Sequence, residues 1–198
     1  MGSIRTLLAL AVVFGHADMY LFTGGMLAVQ LFYVISGYLM SLILLSQSYD
    51  SLKSFYTNRF LRLFPIYWIV AVLTGLIYLT ISTPFSQAFW SVYRDLGADS
   101  IWLVLSNILL FGQDWIMFTG VDGGEFGFIS DFRASEVLVW QGLLVPQAWT
   151  LGVELSFYLI APFILRDKKR WLPILLASLM LRAYFINIGL GTEAPFTY

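Results

Sequence analysis

Apolar residues in this chain neither alternate nor recur as a narrow stripe; they come in long runs separated by short polar stretches. Runs of this length match the roughly 20 residues that a helix needs to cross a bilayer. The first covers about 4–22 and turns at Thr23-Gly24-Gly25. A second, about 26–46, ends in the polar stretch SQSYDSLKS. The third starts near Arg59 and runs to about 82, with Pro65 in its opening turns, where a missing N–H matters least. Residues 83–99 read as an amphiphilic loop, and 100–118 as a fourth apolar segment. The Gly- and acid-rich stretch TGVDGGEFGFISDFRASE is an extramembrane loop. EVLVWQGLLVPQ is too short to cross as a straight helix, so it is a re-entrant piece or the start of the next segment. A fifth segment covers about 148–165, and a sixth, about 171–188, follows the charged turn RDKKR. The pattern predicts an all-α, polytopic, integral membrane helical bundle in a single domain over 1–198.

Composition strengthens this reading. Of the 198 residues 59% are hydrophobic, 18% aromatic and only 12% charged, whereas a soluble domain carries about 25% charged residues. The formal net charge of −1 suggests no nucleic-acid partner. With no cysteine, disulfides and thiol nucleophiles are excluded, and one histidine excludes a His-rich metal site. The opening segment has the parts of a cleaved signal peptide, but the apolar spans that follow favour a retained helix.

Positive charges set the orientation. Arg5, Lys53, Arg59 and Arg62 place the N-terminus and the loop between the second and third spans in the cytoplasm. Arg166, Lys168, Lys169 and Arg170 should lie inside as well. Strict alternation of six helices puts them outside, unless the chain crosses once more between 118 and 148 or 101–147 is not a simple span.

Few polar side chains interrupt the apolar runs, and these are the candidates for chemistry. Arg5 and His16 are eleven residues apart, which on a helix is three turns plus roughly 20°, so both project from one face about 16 Å apart. The arginine sits at the membrane surface and the only histidine lies deep, where an ionisable group is a functional candidate by default. Arg59 and Arg62, three apart at the start of a helix, form either a phosphate clamp, to which Arg5 could add, or a topological anchor that binds lipid phosphates. Glu154, inside WTLGVELSFYL, is a second costly charge. Placed beside His16 it would orient the imidazole as in acid/base catalysis; the alternative is a structural pair with Arg62 or Arg182. Asp18, two residues past His16, points elsewhere, as an interfacial group or an acceptor contact. Gln30, Asn107 and Gln113 read as interhelical hydrogen-bonding groups. Ser36-Gly37 reads as a packing or kink site, since no nucleophile-elbow context surrounds Ser36.

Four stretches carry a resemblance. IRTLLALAVVFGH resembles the opening Arg, ten residues, then His motif of the family-3 membrane acyltransferases of bacterial envelopes. VQLFYVISGYLM is similar to that family's second-helix signature, FYTNRFLRLFPIYW to its Arg-x-x-Arg third helix, and AWTLGVELSFYLIAP to its Trp-Ser-Leu, Glu, Phe-Tyr-Leu, Pro helix. They occur in the family's order between residues 5 and 162. Ala28 and Gln30 stand where the family often has Gly and an acid, and Thr150 replaces its Ser; none of these touches the Arg/His pair.

The resemblance implies transfer of an acyl group, commonly acetyl from acetyl-CoA, to a hydroxyl of a carbohydrate or lipid-linked glycan at the bacterial inner membrane. Acyl-CoA would be a co-substrate, with no bound cofactor and no metal. His16 would be the catalytic base or acyl relay, with Glu154 the motif acid and Arg5, Arg59 and Arg62 near the acyl donor. The family also implies about six spans here of the ten or so in a full bundle, and so a C-terminally shortened domain. A proton relay or secondary transporter would use the same residue types at His16, Glu154 and Arg182. A structural subunit would leave His16 replaceable.

Overall fold

The computed structural model describes residues 2–17, 19, 21, 23–46, 49–129, 131–165 and 167–188. The chain divides into two compact units, Met1–Leu52 with Ile160–Pro173, and Lys53–Leu159 with Ile174–Tyr198.

In the first unit, α1 (Gly2–Gly15) packs on α2 (Gly25–Leu45) around a core of Leu8, Ala11 and Ala28. Helix α1 stops at Gly15, well before the expected residue 22. The reason is a close approach at the turn: a Cβ on Gly15 would lie 3.3 Å from the backbone nitrogen of Gly25. The small side chains of Ala11 and Ala28 bring the two helices together, as such residues do in membranes. Ser41 donates to the Gly37 carbonyl at 2.9 Å, which satisfies its hydroxyl inside a predominantly apolar helix.

The second unit is built on α3 (Leu52–Thr80), 29 residues and thus about 44 Å long. It starts seven residues earlier than expected, so Pro65 lies inside the helix instead of in its opening turns. The helix continues through the proline, whose missing N–H membrane helices tolerate when neighbours compensate.

Residues expected as a loop form α4 (Pro84–Leu96). Thr83 caps it: its hydroxyl accepts from Ser86 N at 3.1 Å, while the Ser86 hydroxyl accepts from Thr83 N at 2.8 Å, a reciprocal capping box with proline at the first helical position. Phe89, Val92 and Leu96, at i, i+3 and i+7, form its buried face.

The fourth apolar segment is not one helix. It breaks into α5 (Ile101–Leu109) and the single turn α6 (Gln113–Ile116), because Leu110 at φ 60° and Gly112 at φ 80° take left-handed conformations. Beyond it the expected loop contains a hairpin, β1 (Thr119–Asp122) paired antiparallel with β2 (Glu125–Phe128). Gly123 and Gly124, at φ 59° and 82°, supply the two left-handed residues of its turn. The short apolar stretch after the hairpin is neither a span nor a helix of its own; it contains 3-10 turns at Val139–Gly142 and Pro146–Ala148.

Then come α7 (Trp149–Leu165) and α8 (Trp171–Asn187), close to the expected boundaries. Among the described residues three helices are long and apolar enough to cross a membrane, Leu27–Leu45, Leu52–Thr80 and Pro146–Leu165; Ser3–Gly15 and Trp171–Asn187 are shorter apolar helices.

Helices α3 and α7 run in opposite directions. Leu144, just ahead of α7, packs a methyl 3.8 Å from where a Cβ on Gly75 would lie, near the end of α3. Further along, the Leu159 carbonyl accepts from the Tyr56 hydroxyl, near the start of α3, at 2.9 Å. Region 101–147, between them, is broken into short elements and is not one continuous helix.

Candidate functional site

Two helices of the second unit each contribute a pair of residues one turn apart. Phe55 and Arg59 lie at i and i+4 on α3, Glu154 and Tyr158 at i and i+4 on α7, and this spacing turns each pair to one face. Arg59 is 6% exposed, Glu154 5% and Tyr158 3%. The Arg59 guanidinium carbon sits 5.4 Å from the Phe55 ring centre and 5.4 Å from that of Tyr158, within cation–π range of both. The Tyr158 hydroxyl donates to Glu154 Oε2 at 2.9 Å. Tyr158 thus touches the carboxylate with its hydroxyl and the guanidinium with its ring.

A buried carboxylate and a buried guanidinium on two apolar helices are each costly alone, and their placement around one tyrosine offsets that cost. A carboxylate held this way has a fixed direction, so it can orient a donor or take a proton without reorganising. Arg62 lies three residues beyond Arg59 and is exposed, within electrostatic reach of Tyr158. The two arginines therefore differ: one is enclosed, and one faces outward where an anion can approach it.

Arg5 and His16 belong to the first unit. Arg5 is half-buried on α1, its guanidinium carbon 4.4 Å from the ring centre of Phe32 on α2. His16 is exposed in the turn that follows α1. Its backbone N–H still bonds the Val12 carbonyl at 3.1 Å, so the helical spacing from Arg5 persists to His16 although the helix is formally over. His16 accordingly stands at the helix end and not within a longer span.

The other sequence candidates divide. Asn107 and Gln113 are buried and hydrogen-bonded between elements, while Gln30 and Arg182 are exposed. Ser36 is buried on α2. Asp18 and Arg166 fall outside the described residues. No group of three or more metal-ligating side chains occurs among the described residues.

Sequence reasoning missed Tyr158. The signal was present, since a tyrosine four residues after an intramembrane acid is placed to bond it, but interfacial tyrosines are common enough to mask it. It also missed the network around Asn107. Gln113 Nε2 donates to the Tyr67 hydroxyl at 2.6 Å, which donates to the Asn107 carbonyl at 2.8 Å. Asn107 Nδ2 donates to the Tyr93 hydroxyl and to the Gly142 carbonyl, each at 3.0 Å, and Asn107 Oδ1 accepts from Leu144 N at 2.8 Å. Burial pushes the Tyr93 hydroxyl above its ordinary pKa, which keeps it a donor to Gly142.

These features define a helical membrane protein with a buried acid, a buried arginine and a tyrosine shared between two of its helices. Residues 2–198 match the family-3 acyltransferase domain, and the chain belongs to that family. It is 29% identical to the peptidoglycan O-acetyltransferase OatA of Listeria monocytogenes over 95% of this chain and 26% of that protein. It is 27% identical to a Staphylococcus aureus protein that carries a provisional O-acetyltransferase name, over 93% of this chain and 29% of that one. Similarity to the acyltransferase MdmB of Streptomyces mycarofaciens is 24% over 75% of this chain and 30% of that protein. The chain thus spans between a quarter and a third of the length of these relatives. No solved structure matches it.

Proposed function

We propose that the protein works as a membrane O-acyltransferase which moves an acyl group, acetyl in the first instance, from acyl-CoA to a hydroxyl of an envelope carbohydrate or lipid-linked glycan. Membership of the acyltransferase family and the O-acetyltransferase names of its relatives support the reaction class. The observation on this chain that carries the reading is the buried carboxylate of Glu154, held by Tyr158 beside Arg59. A lipid-crossing helix has no structural need for such a cluster, and intramembrane ionisable groups mark function.

In this reading the donor's phosphates meet the outward-facing Arg62, and phosphate recognition fixes where the thioester lies; for Arg5 and Arg59 the family resemblance is what supports a role with the acyl donor. His16 takes the proton of the acceptor hydroxyl as its oxygen attacks the thioester carbonyl. The tetrahedral intermediate collapses, the C–S bond breaks, and the leaving thiolate takes up the proton. Glu154 serves as the motif acid, its carboxylate held by the Tyr158 hydroxyl. The membrane in question is the bacterial inner membrane, crossed more than once.

The test uses inverted membrane vesicles from cells that carry the full-length gene, supplied with acetyl-CoA labelled in the acetyl group. Label should enter the glycan fraction in proportion to expression and be suppressed by excess desulfo-CoA. Incorporation equal to that of vesicles lacking the gene, or insensitive to the CoA analogue, would overturn the proposed donor.

A further inference from the structure

The segment around 101–118 has the length and hydropathy of a span, yet its two flanks meet. Val92 and Leu96 of α4, Leu103 of α5, Ile116 of α6, and Val139 and Leu143 form one buried cluster, against which Val121 of β1 and Phe126 of β2 also pack. The chain before the segment and the chain after it thus share one core. A helix that crossed a bilayer would leave these flanks on opposite sides.

Helix α3 serves as a ruler for depth. Trp90 of α4 donates to the Tyr78 carbonyl at 3.2 Å, close to the end of α3 at Thr80. The end of α5 meets α3 much further along: Trp68 Nε1 donates to the Ile108 carbonyl at 2.9 Å, and the Tyr67 hydroxyl to the Asn107 carbonyl at 2.8 Å. Trp68 is twelve residues before Thr80, about 18 Å along the helix, and half a hydrocarbon core is about 15 Å. Helix α7 agrees with this ruler. A Cβ on Gly152 would lie 3.4 Å from the Leu110 carbonyl oxygen and 3.0 Å from Asp114 Oδ1, so the break between α5 and α6 lies against α7 seven residues ahead of Leu159, the residue level with Tyr56.

The faces of α5 are arranged as lipid demands and water does not. Ile101, Trp102, Leu105, Ile108 and Leu109, at i, i+1, i+4, i+7 and i+8, are exposed on one side. Ser106 and Asn107, the polar residues of the helix, are buried on the other. A nine-residue helix, about 14 Å long, cannot cross, and its last carbonyls would be costly in hydrocarbon. Here Trp68 and Tyr67 satisfy those of Ile108 and Asn107, and Gln113 Nε2 and Leu110 N both bond Ser106 O, at 3.2 and 2.9 Å.

We infer that residues 101–118 form a re-entrant element, which enters the bilayer from the α4 side, turns at Leu110–Gly112 near mid-depth and returns, with the outer face of α5 against lipid acyl chains. Its tip rests on the first turns of α7, just ahead of Glu154.

The test is site-directed spin labelling of the full chain in liposomes, with labels at Leu105→Cys and Ile108→Cys. Leu103→Cys serves as the buried reference and Asp122→Cys as the aqueous one. Lipid-facing labels should collide readily with oxygen and hardly with an aqueous nickel chelate, so that their oxygen-to-nickel collision ratio exceeds that of Asp122→Cys several-fold. Low collision with both reagents at 105 and 108 would mean that protein covers this face, and ready nickel collision would mean water; either overturns the lipid contact. Independently, an impermeant maleimide should label Gln87→Cys and Asp122→Cys from the same side in sealed vesicles of both orientations. Labelling from opposite sides would show a full crossing and overturn the re-entrant path.

Discussion

Replacing Asn107 by leucine probes the network that holds the broken segment together. Asparagine and leucine are close in size, so the change removes hydrogen bonds and leaves little cavity. Three side-chain bonds disappear: from Nδ2 to the Tyr93 hydroxyl, from Nδ2 to the Gly142 carbonyl, and from Leu144 N to Oδ1. Gly142 keeps a donor in Tyr93 at 3.1 Å, whereas the Leu144 N–H loses the partner it has here. Three interhelical bonds at about 0.6 kcal/mol each give a floor of about 2 kcal/mol. The orphaned, half-buried Leu144 amide adds about 1–3 kcal/mol, which puts the loss at about 3–5 kcal/mol. For a chain of this size that corresponds to a fall of about 6–20 °C in the unfolding midpoint, read by tryptophan fluorescence in detergent micelles. Tyr93→Phe should cost less alone, and the double variant less than the two together, because both residues bond Gly142 O. A midpoint for Asn107→Leu within about 1 °C of wild type would show that these bonds do not hold the segment together.

Other outcomes follow from single contacts. Tyr158→Phe removes a hydrogen bond to a carboxylate, worth about 1.5–3 kcal/mol, so acyl transfer should fall about 10- to 100-fold if that bond acts in the transition state; an unchanged rate would remove Tyr158 from the site. Gly142→Ala would drive a methyl to 2.5 Å from Leu103 Cδ1 and 3.0 Å from Val92 Cγ1 inside a filled core, and should destabilise by about 1–3 kcal/mol, visible as a lower midpoint. Thr83→Ala deletes the cap of α4 and should cost about 0.5–2 kcal/mol, while Thr83→Ser retains most of it; equal losses for the two would show that the hydroxyl is not what caps the helix.

How legible the fold was depends on how far hydropathy reports on crossing. Helices α2, α7 and α8 fall within about a residue of the expected limits, since nothing but helix satisfies a backbone in hydrocarbon. The 100–118 segment is equally apolar, but the Asn107 side chain inside it bonds Tyr93 on α4 and both Gly142 and Leu144 ahead of α7, which a hydropathy reading cannot register. Left-handed Leu110 gives no sequence warning, although Gly112 does. Helix α4 was readable from Thr83-Pro84 and Ser86 ahead of Phe89, Val92 and Leu96, and the hairpin from Asp122-Gly123-Gly124-Glu125; both signals were outweighed by the polarity around them. At the site, Arg59 and Glu154 stood out as charges in apolar helices. What the sequence left open was that Arg59 turns inward and Arg62 outward, because a spacing of three leaves about 60° between them and only packing decides which side each takes.

Whether His16 and Glu154 serve acyl transfer is decided by incorporation of labelled acetyl from acetyl-CoA into membrane glycans. Wild type, His16→Ala and Glu154→Gln would be compared in the full-length protein at matched expression. Wild type should label strongly, and both variants should label near the level of gene-free membranes. If either variant labels as wild type does, the role assigned to that residue is wrong; if wild type itself does not label, the acyl-CoA-dependent reaction is contradicted.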